Sequence, residues 1–122
     1  MKLQAEPQLY VSDMKAALDH YTDGLGFRVA NAHGEPPFWV QIERDGARLN
    51  LRHVDGPVFA PAFRETEEDA VSATLTTDDA EGLFAAFDRA GVAFHQRLRT
   101  EPWGARTFIV GDPDGNLILF AG

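Results

Sequence analysis

Cysteine is missing from the sequence, and its absence removes several classes of chemistry at once. Disulfides, thiolate nucleophiles and cysteine-based zinc or iron–sulfur centres all require that residue. With 122 residues, the chain is long enough to bury a core without such crosslinks. We therefore expect a single domain over residues 1–122 that is held together by hydrophobic burial.

Long apolar runs and an excess of basic residues are missing as well. No stretch approaches the roughly 18 apolar residues of a membrane span, and the opening MKLQAEPQLYVSD lacks the apolar core of a signal peptide. The chain has 11 basic and 19 acidic residues, which gives a net charge of −8, whereas nucleic acids and anionic membranes bind to basic patches. These absences predict a cytoplasmic protein that binds neither a nucleic acid nor a membrane.

The first half of the chain predicts a strand, a helix and three further strands. Residues 7–11 alternate as a strand, and the next segment has apolar residues at the spacing of an amphipathic helix. Either Ser12 or Asp13 can cap this helix, and Gly26 can end it, because glycine readily adopts the left-handed conformation of a C-cap. Asp45-Gly46 then predicts a tight hairpin between two strands.

The second half of the chain repeats this order. Residues 70–76 alternate as a strand, Asp78 can cap a second amphipathic helix, and Gly91 can end it. The two caps lie 65 positions apart, and the two helix-ending glycines have the same separation. We therefore predict two βαβββ modules, at about residues 3–55 and 69–122.

An acidic, proline-containing linker joins the modules. Residues 54–69 include Pro57 and Pro61 and end in the run Glu65-Thr66-Glu67-Glu68-Asp69. This composition is typical of a solvated connection, so we expect a loop here.

The first hairpin assigns side chains to the two faces of its sheet, because residues opposite each other in antiparallel strands share a face. A two-residue loop at Asp45-Gly46 pairs Gln41 with Asn50 and Trp39 with Arg52. These four side chains are therefore expected on one face.

The same argument applies to the second hairpin. A two-residue loop at Pro113-Asp114 pairs Phe108 with Leu119 and Arg106 with Ala121. The opposite faces of both hairpins are apolar and are expected to take the helices: Val40, Ile42, Leu49, Leu51, Ile109, Ile118 and Phe120.

The remaining faces combine aromatic rings, uncharged hydrogen-bonding groups and two arginines, a mixture that suits a ligand-binding cleft. The residues assigned to this cleft are Gln8, Tyr10, Trp39, Gln41, Asn50, Arg52, Ser72, Thr74, Thr76, Arg106, Phe108 and Leu119. A solvated surface and a dimer contact are the two alternatives for the same face.

Three segments carry a resemblance to a known family. They are LYVSDMKAALDHYTDGLGF (9–27), LTTDDAEGLFAAFDRAGV (75–92) and GDPDGNLILF (111–120). In this order and spacing they resemble the glyoxalase, bleomycin-resistance and extradiol-dioxygenase superfamily, also called vicinal oxygen chelate. The resemblance implies an α+β fold in which two βαβββ modules form a curved mixed sheet that encloses a cleft, with the helices on the outer face.

Metal-dependent members of that family place ligands at four equivalent strand positions. Carried over by the motifs, these positions hold Glu6, Asn50, Ser72 and Leu119 here. A divalent metal of this class needs about three imidazole or carboxylate ligands. The four histidines do not supply a substitute, because none has the paired spacing of a helical zinc site. We therefore expect no metal and no other cofactor.

The resemblance implies a bleomycin-resistance-like protein that binds a small molecule by sequestration in a cleft. In that branch two chains form a homodimer with the ligand at the interface, which the resemblance implies here too. Trp103 matches a Trp-Gly element beside the ligand, so Trp39 and Trp103 are expected to enclose a planar ring, with a rim position as the alternative for Trp103. The excess of acidic over basic residues in the chain favours a cationic ligand, whereas Arg52 and Arg106 favour an anionic group. The identity of the ligand stays open.

An enzyme of the superfamily is the second interpretation, namely a lyase, an isomerase or a dioxygenase with an atypical site. Glu6 is its candidate catalytic residue, because a carboxylate inside a cleft can act as an acid or a base. A third interpretation is a non-catalytic partner protein that uses the cleft face for dimerisation alone.

Overall fold

The computed structural model describes residues 1–122 and contains eight strands and three α-helices. The first module comprises β1 (Gln8–Val11), α1 (Met14–Leu18), which continues as a π-helical turn (Asp19–Gly24), β2 (Arg28–His33), β3 (Trp39–Arg44) and β4 (Ala47–His53). The connection holds α2 (Phe63–Thr66). The second module comprises β5 (Ala73–Thr76), α3 (Ala80–Arg89), β6 (Phe94–Thr100), β7 (Arg106–Gly111) and β8 (Leu117–Ala121).

Each module forms a four-stranded mixed sheet, and the two sheets have equivalent strand orders. The first has the order β1-β4-β3-β2 and the second the order β5-β8-β7-β6. The first strand of each module runs parallel to the last, and the other neighbours are antiparallel. The α+β fold of two βαβββ modules is therefore as the sequence predicts. None of the helices has the length and apolar character needed to cross a membrane.

The caps explain where the helices begin. Asp13 accepts a hydrogen bond from the backbone N–H of Ala16 at 3.1 Å, so Asp13 rather than Ser12 caps α1. The cap of α3 is Asp79, which accepts from the N–H of Gly82 at 2.9 Å, and the prediction of Asp78 is wrong by one residue. Thr77 Oγ1 accepts the N–H of Asp79 and so holds the chain outside the helix up to that point.

The first hairpin has the predicted register. Gln41 lies opposite Asn50 and Trp39 opposite Arg52. Asp45 adopts a left-handed backbone conformation with φ of 50°, as a two-residue loop with Asp-Gly requires.

The second hairpin has a longer loop than predicted. Gly111 pairs with Leu117, and the loop spans residues 112–116. The carboxylate of Asp112 accepts the backbone N–H groups of Asp114 and Asn116, both at 2.9 Å, and thereby stabilises the wider turn. A shift of one residue on one strand places the facing side chains of that strand on the other side of the sheet.

Two predicted cleft residues are displaced by this register. Phe108 lies opposite Phe120, and the rings stack with centroids 4.9 Å apart in the core. Arg106 points to the helix side, where Nη1 lies 3.6 Å from Glu81 of α3. Ile109, which was expected on the helix side, instead shares a face with Leu119.

The apolar faces of both sheets meet in one core. It contains 17 buried residues from both modules, including the predicted Val40, Ile42, Leu49 and Leu51 of the first sheet and Ile118 and Phe120 of the second. Because successive residues of a strand point to opposite sides, the polar face of each sheet lies on the side away from this shared core.

Side chains of the second hairpin loop tie the two modules together. Asp114 accepts hydrogen bonds from the backbone N–H and the hydroxyl of Ser12, and the buried Asp112 accepts from the hydroxyl of Tyr21 at 2.9 Å. Asn116 donates from Nδ2 to the carbonyl oxygen of Tyr10 at 2.8 Å. The connection between two largely separate sheets is therefore polar as well as apolar.

The linker is more ordered than its composition predicts. Residues 63–66 form α2, where a loop was expected. The guanidinium of Arg64 lies over the rings of Phe59 and Phe63, 4.9 and 5.1 Å from their centroids, and donates to the carbonyl oxygens of Ala70 and Gly115. The side chain of Arg64 therefore orders this segment, because it hydrogen-bonds to two backbone carbonyl groups and packs on two aromatic rings at once.

Candidate functional site

The polar face of the first sheet, here called the first polar face, is arranged in rows across the strands. The outermost row has four side chains in register, and three of them are aromatic: Tyr10, Arg52, Trp39 and His33. The imidazole of His33 stacks on the indole of Trp39 with centroids 5.1 Å apart. One face of the indole is therefore covered within the chain.

The next row consists entirely of carboxamides, in the order Asn31, Gln41, Asn50 and Gln8. Asn31 donates to Gln41 Oε1 at 2.9 Å, and Gln41 donates to Asn50 Oδ1 at 3.2 Å. Gln41 and Asn50 are only 5% and 4% exposed. Hydrogen bonds fix these buried amides in one orientation, which leaves a rigid polar floor.

Glu6 precedes β1 and anchors this row. One of its carboxylate oxygens accepts hydrogen bonds from Gln41 Nε2 at 2.9 Å and from Asn50 Nδ2 at 3.4 Å. The other lies 3.9 Å from Nη1 of Arg48. The donors of the buried amides thus converge on a single carboxylate.

A charged row closes the face at the hairpin end. Glu43 pairs with Arg28 on one side and with Nε of Arg48 on the other, the latter at 3.1 Å. With Glu6, the row alternates in sign across the sheet. It balances its own charge and forms the polar end of the face.

The polar face of the second sheet, the second polar face, lines a cavity of about 280 Å³ that we call the Trp103 pocket. Nine residues line it: Asp69, Val71, Gln96, Arg99, Glu101, Trp103, Thr107, Ile109 and Leu119. Leu119 pairs with Ile109 and with Thr74, so all three share this face. The floor is apolar and the walls are mixed.

Trp103 stands at the mouth of this pocket on a tight turn. Backbone hydrogen bonds from Glu101 to Ala105 at 2.7 Å and from Gly104 to Glu101 at 2.9 Å close the turn. Gly104 has φ of 98°, a conformation that glycine adopts without strain. The turn holds the indole of Trp103 outward, with 75% of the residue exposed.

Glu101 is the fixed charge of the Trp103 pocket. Its Oε1 accepts from Nε of Arg99 at 2.7 Å and from the hydroxyl of Thr107 at 2.8 Å. These hydrogen bonds, that from Arg99 first, hold the pKa of the Glu101 carboxyl below its ordinary value. The side chain is 10% exposed, and Glu101 therefore presents a carboxylate that stays ionised.

The structure brings most of the predicted ligand-binding residues together, but on two separate faces. Gln8, Tyr10, Trp39, Gln41, Asn50 and Arg52 lie on the first polar face, and Leu119 and Trp103 lie at the Trp103 pocket. Arg106 and Phe108 belong to the helix side and the core instead. No pocket of the single chain is lined by residues of both faces.

Several residues of these faces were not predicted. Ile109 and Thr107 were missed because the second hairpin was set in the wrong register. Asn31 and His33 were missed because β2 contains a bulge between Val29 and Asn31, which the sequence does not signal. Glu101 was part of the Trp103 segment, but no sequence pattern indicated its hydrogen bonds to Arg99 and Thr107.

The chain is similar in sequence and in fold to known proteins. The model of the Glyoxalase/Bleomycin resistance protein/Dioxygenase superfamily matches residues 4–120. The chain belongs to this superfamily. A bleomycin resistance protein of Geobacillus stearothermophilus is 30% identical, with 97% of this chain and 95% of that protein covered.

Two solved structures of the superfamily share the fold. A bleomycin-binding protein complexed with bleomycin superposes with a TM-score of 0.76 at 20% identity, over 98% of both chains. The bleomycin-binding protein of Streptomyces verticillus, complexed with copper(II)-bleomycin, gives 0.74 at 23% identity, over 98% of this chain and 95% of that one.

The four positions that the resemblance equates with metal ligands do not carry suitable donors in this chain. Glu6 and Asn50 lie together on the first polar face, but the Glu6 oxygen is taken up by the amide donors. Ser72 is hydrogen-bonded to Asn116 at 3.1 Å, and Leu119 offers only hydrocarbon. No group of three or more histidine, aspartate or glutamate side chains is placed to hold a metal ion. One carboxylate, one amide and one hydroxyl do not fit a divalent cation of this class.

Proposed function

We propose that the protein binds a planar small molecule by sequestration, without a metal, over the first polar face. The observation that carries this proposal is the carboxamide row, in which Gln41 and Asn50 are buried, beside the aromatic row. Burial of a side-chain amide is unfavourable unless its donors and its acceptor are hydrogen-bonded. A sheet face that only contacted solvent would have no use for such buried amides. A rigid floor of hydrogen-bonding groups next to stacked rings is suited to orient a flat, polar ligand.

Trp39 provides the stacking surface in this proposal. His33 covers one face of its indole, so the ligand ring stacks on the other face. An aromatic pair of this kind contributes about 0.5–1.5 kcal/mol beyond its buried area. The neighbouring carboxamides then hydrogen-bond to the polar edge of the same ligand.

We further propose a homodimer in which the first polar face of one chain and the second polar face of its partner form one cleft. This is supported by the absence of any pocket that joins both faces within one chain. It is also supported by large apolar side chains that stay exposed, namely Tyr10, Val29 and Trp103.

The similarity to bleomycin resistance and bleomycin-binding proteins supports an antibiotic as the ligand. Sequestration requires binding alone and makes no demand on a catalytic group. The proposal therefore includes antibiotic resistance by binding and leaves the individual antibiotic open.

Trp39→Ala tests this proposal against the matched control Phe38→Ala. Both remove an aromatic ring, Trp39 being the first residue of β3 and Phe38 the residue before it, but Phe38 lies outside the first polar face, in a pocket with Pro36, Pro37 and His53. Binding of planar antibiotics, followed by calorimetry, should weaken at least severalfold in Trp39→Ala and stay unchanged in Phe38→Ala. Sedimentation should show that the dimer of Trp39→Ala is intact. Loss of the dimer with unchanged binding per folded chain would assign the face to dimerisation only.

Glu6 supports one alternative, an enzyme of the superfamily with a metal-free acid–base site. Its carboxylate lies on the first polar face beside the place where a ligand would rest. If a turnover is found, Glu6→Gln should abolish it under the alternative. Near-stoichiometric zinc, nickel, manganese or iron in the purified protein would contradict both interpretations of the site, because both are metal-free.

A further inference from the structure

We propose that the Trp103 pocket binds an organic cation, a protonated amine on an apolar body, with Glu101 as its anionic acceptor. The inference rests on the proposed ligand-binding function and adds the chemical class of the ligand group that enters the second polar face. Three observations carry it: a carboxylate oxygen without a donor, an apolar floor with an aromatic wall, and the balance of charge.

The carboxylate of Glu101 is only half used inside the protein. Oε1 accepts from Arg99 and Thr107, whereas Oε2 accepts no hydrogen bond within the chain. A carboxylate has about four lone-pair sites, so capacity remains for a further donor. Because Glu101 lines the pocket and is otherwise covered, a donor reaches Oε2 from the pocket. An ammonium group supplies N–H donors and a compensating charge together.

The rest of the pocket fits the apolar body of such a ligand. Ile109 and Leu119 form the floor, and Val71 is part of the wall. The exposed indole of Trp103 stands beside them and offers a ring face, which attracts a cation through its quadrupole. A volume of about 280 Å³ accommodates a single ring with a short aminoalkyl arm.

The charges around the pocket favour a cation over an anion. Glu101 and Asp69 face it against the single guanidinium of Arg99, whose Nε is already bound to Glu101. Nε2 of His95 lies 2.8 Å from Asp69, so Asp69 already has a partner within the chain. Arg106, which favoured an anionic ligand from the sequence, is on the other side of the sheet. Glu101 is therefore the fixed charge on which recognition depends.

Benzylamine and benzyl alcohol form the matched pair of probes for this inference. The two have the same ring and nearly the same shape, but only the amine is charged at pH 7. Two-dimensional nitrogen-15 spectra of the full-length protein give one indole resonance for each of its two tryptophans. Trp39→Phe identifies which belongs to Trp103. We expect benzylamine to shift the Trp103 indole resonance and to bind about tenfold more tightly than benzyl alcohol.

Glu101→Gln keeps the shape and both acceptor contacts of Oε1 but removes the charge, and should abolish the preference for the amine. Glu81→Gln is the matched control, because it removes the same charge on α3, on the opposite side of the sheet. Trp103→Ala, at an exposed position that folding does not require, should weaken the amine severalfold.

Equal binding of amine and alcohol, an unchanged preference in Glu101→Gln, or a shift of the Trp39 resonance alone would overturn the inference. The proposed function would still stand if planar antibiotics bind in the same samples. If neither the probes nor the antibiotics bind, both proposals fail.

Discussion

The side-chain amide of Asn116, in the last hairpin loop, donates to the carbonyl oxygen of Tyr10 at 2.8 Å. Tyr10 belongs to the outer row of the first polar face, so a loop of the second module fixes a strand of the first module's candidate site. The same amide nitrogen bonds Asp112, and the amide oxygen accepts from Ser72. The loop is therefore part of the framework that positions the site.

Asn116→Ala tests how much this contact contributes. Asn116 is buried, and the substitution leaves several partners unpaired, so we expect the free energy of unfolding to fall by about 2–3 kcal/mol. Urea denaturation followed by tryptophan emission measures the change. Pro113→Ala, in the same loop, is the control and should change stability by less than about 0.5 kcal/mol. A similar loss in both variants would mean that the loop conformation, and not the Asn116 contacts, carries the effect.

The buried pair of Tyr21 and Asp112 predicts a dependence of stability on pH in the alkaline range. Burial first, and then the neighbouring Asp112, raise the pKa of the Tyr21 hydroxyl well above its ordinary value. Above about pH 10 the unfolded chain releases this proton while the folded chain retains it, so unfolding becomes easier as pH rises.

Comparison of the native chain with Tyr21→Phe isolates the contribution of the Tyr21 hydroxyl proton to the free energy of unfolding. Between pH 9 and about 11 the free energy of unfolding should fall more steeply in the native chain than in Tyr21→Phe. At neutral pH the variant should be less stable by about 1–3 kcal/mol, because Asp112 loses a donor. Parallel pH profiles of the two proteins would contradict the assignment.

The register of the second hairpin separates a core residue from a pocket residue. Phe108 is fully buried against Phe120, whereas Leu119 is half-buried in the Trp103 pocket. Phe108→Ala should lower the free energy of unfolding by about 3–5 kcal/mol. Leu119→Ala should have a clearly smaller effect on stability, and it should alter binding of benzylamine. Thermal unfolding and the nitrogen-15 titration measure both effects. If Leu119→Ala destabilised the protein more than Phe108→Ala, the two-residue loop predicted from the sequence would be the correct one.

The first hairpin and its faces could be predicted because the signals that decide them are local, whereas the bulge in β2 has no such signal. Asp45-Gly46 dictates a two-residue loop, and this loop alone determines that Gln41 faces Asn50. The register of β1 then places Gln8 and Tyr10 on the same face. The sequence likewise restricted the cap of α1 to Ser12 or Asp13, and the hydrogen bond to Ala16 in the structure identifies Asp13.

The second module was harder because a distant contact decides it. Asp112 is drawn into hydrogen bonds with the loop backbone and with Tyr21, 91 positions away, and these contacts select the five-residue loop. Asp112-Pro113-Asp114-Gly115 is compatible with both loop lengths, and choosing the shorter loop exchanged Phe108 and Ile109 between the two faces. The order in the linker depends in the same way on Arg64 and its long-range acceptor at Gly115.

We propose above that one ligand lies between the first polar face of one chain and the Trp103 pocket of its partner. The most direct measurement is a titration of the nitrogen-15-labelled protein with planar antibiotics, beginning with bleomycin, in which both indole resonances are followed. We expect the indole resonances of Trp39 and Trp103 to shift together, with the same concentration dependence and one ligand per cleft. Antibiotic binding that moves neither indole resonance, or only one of them, would contradict it.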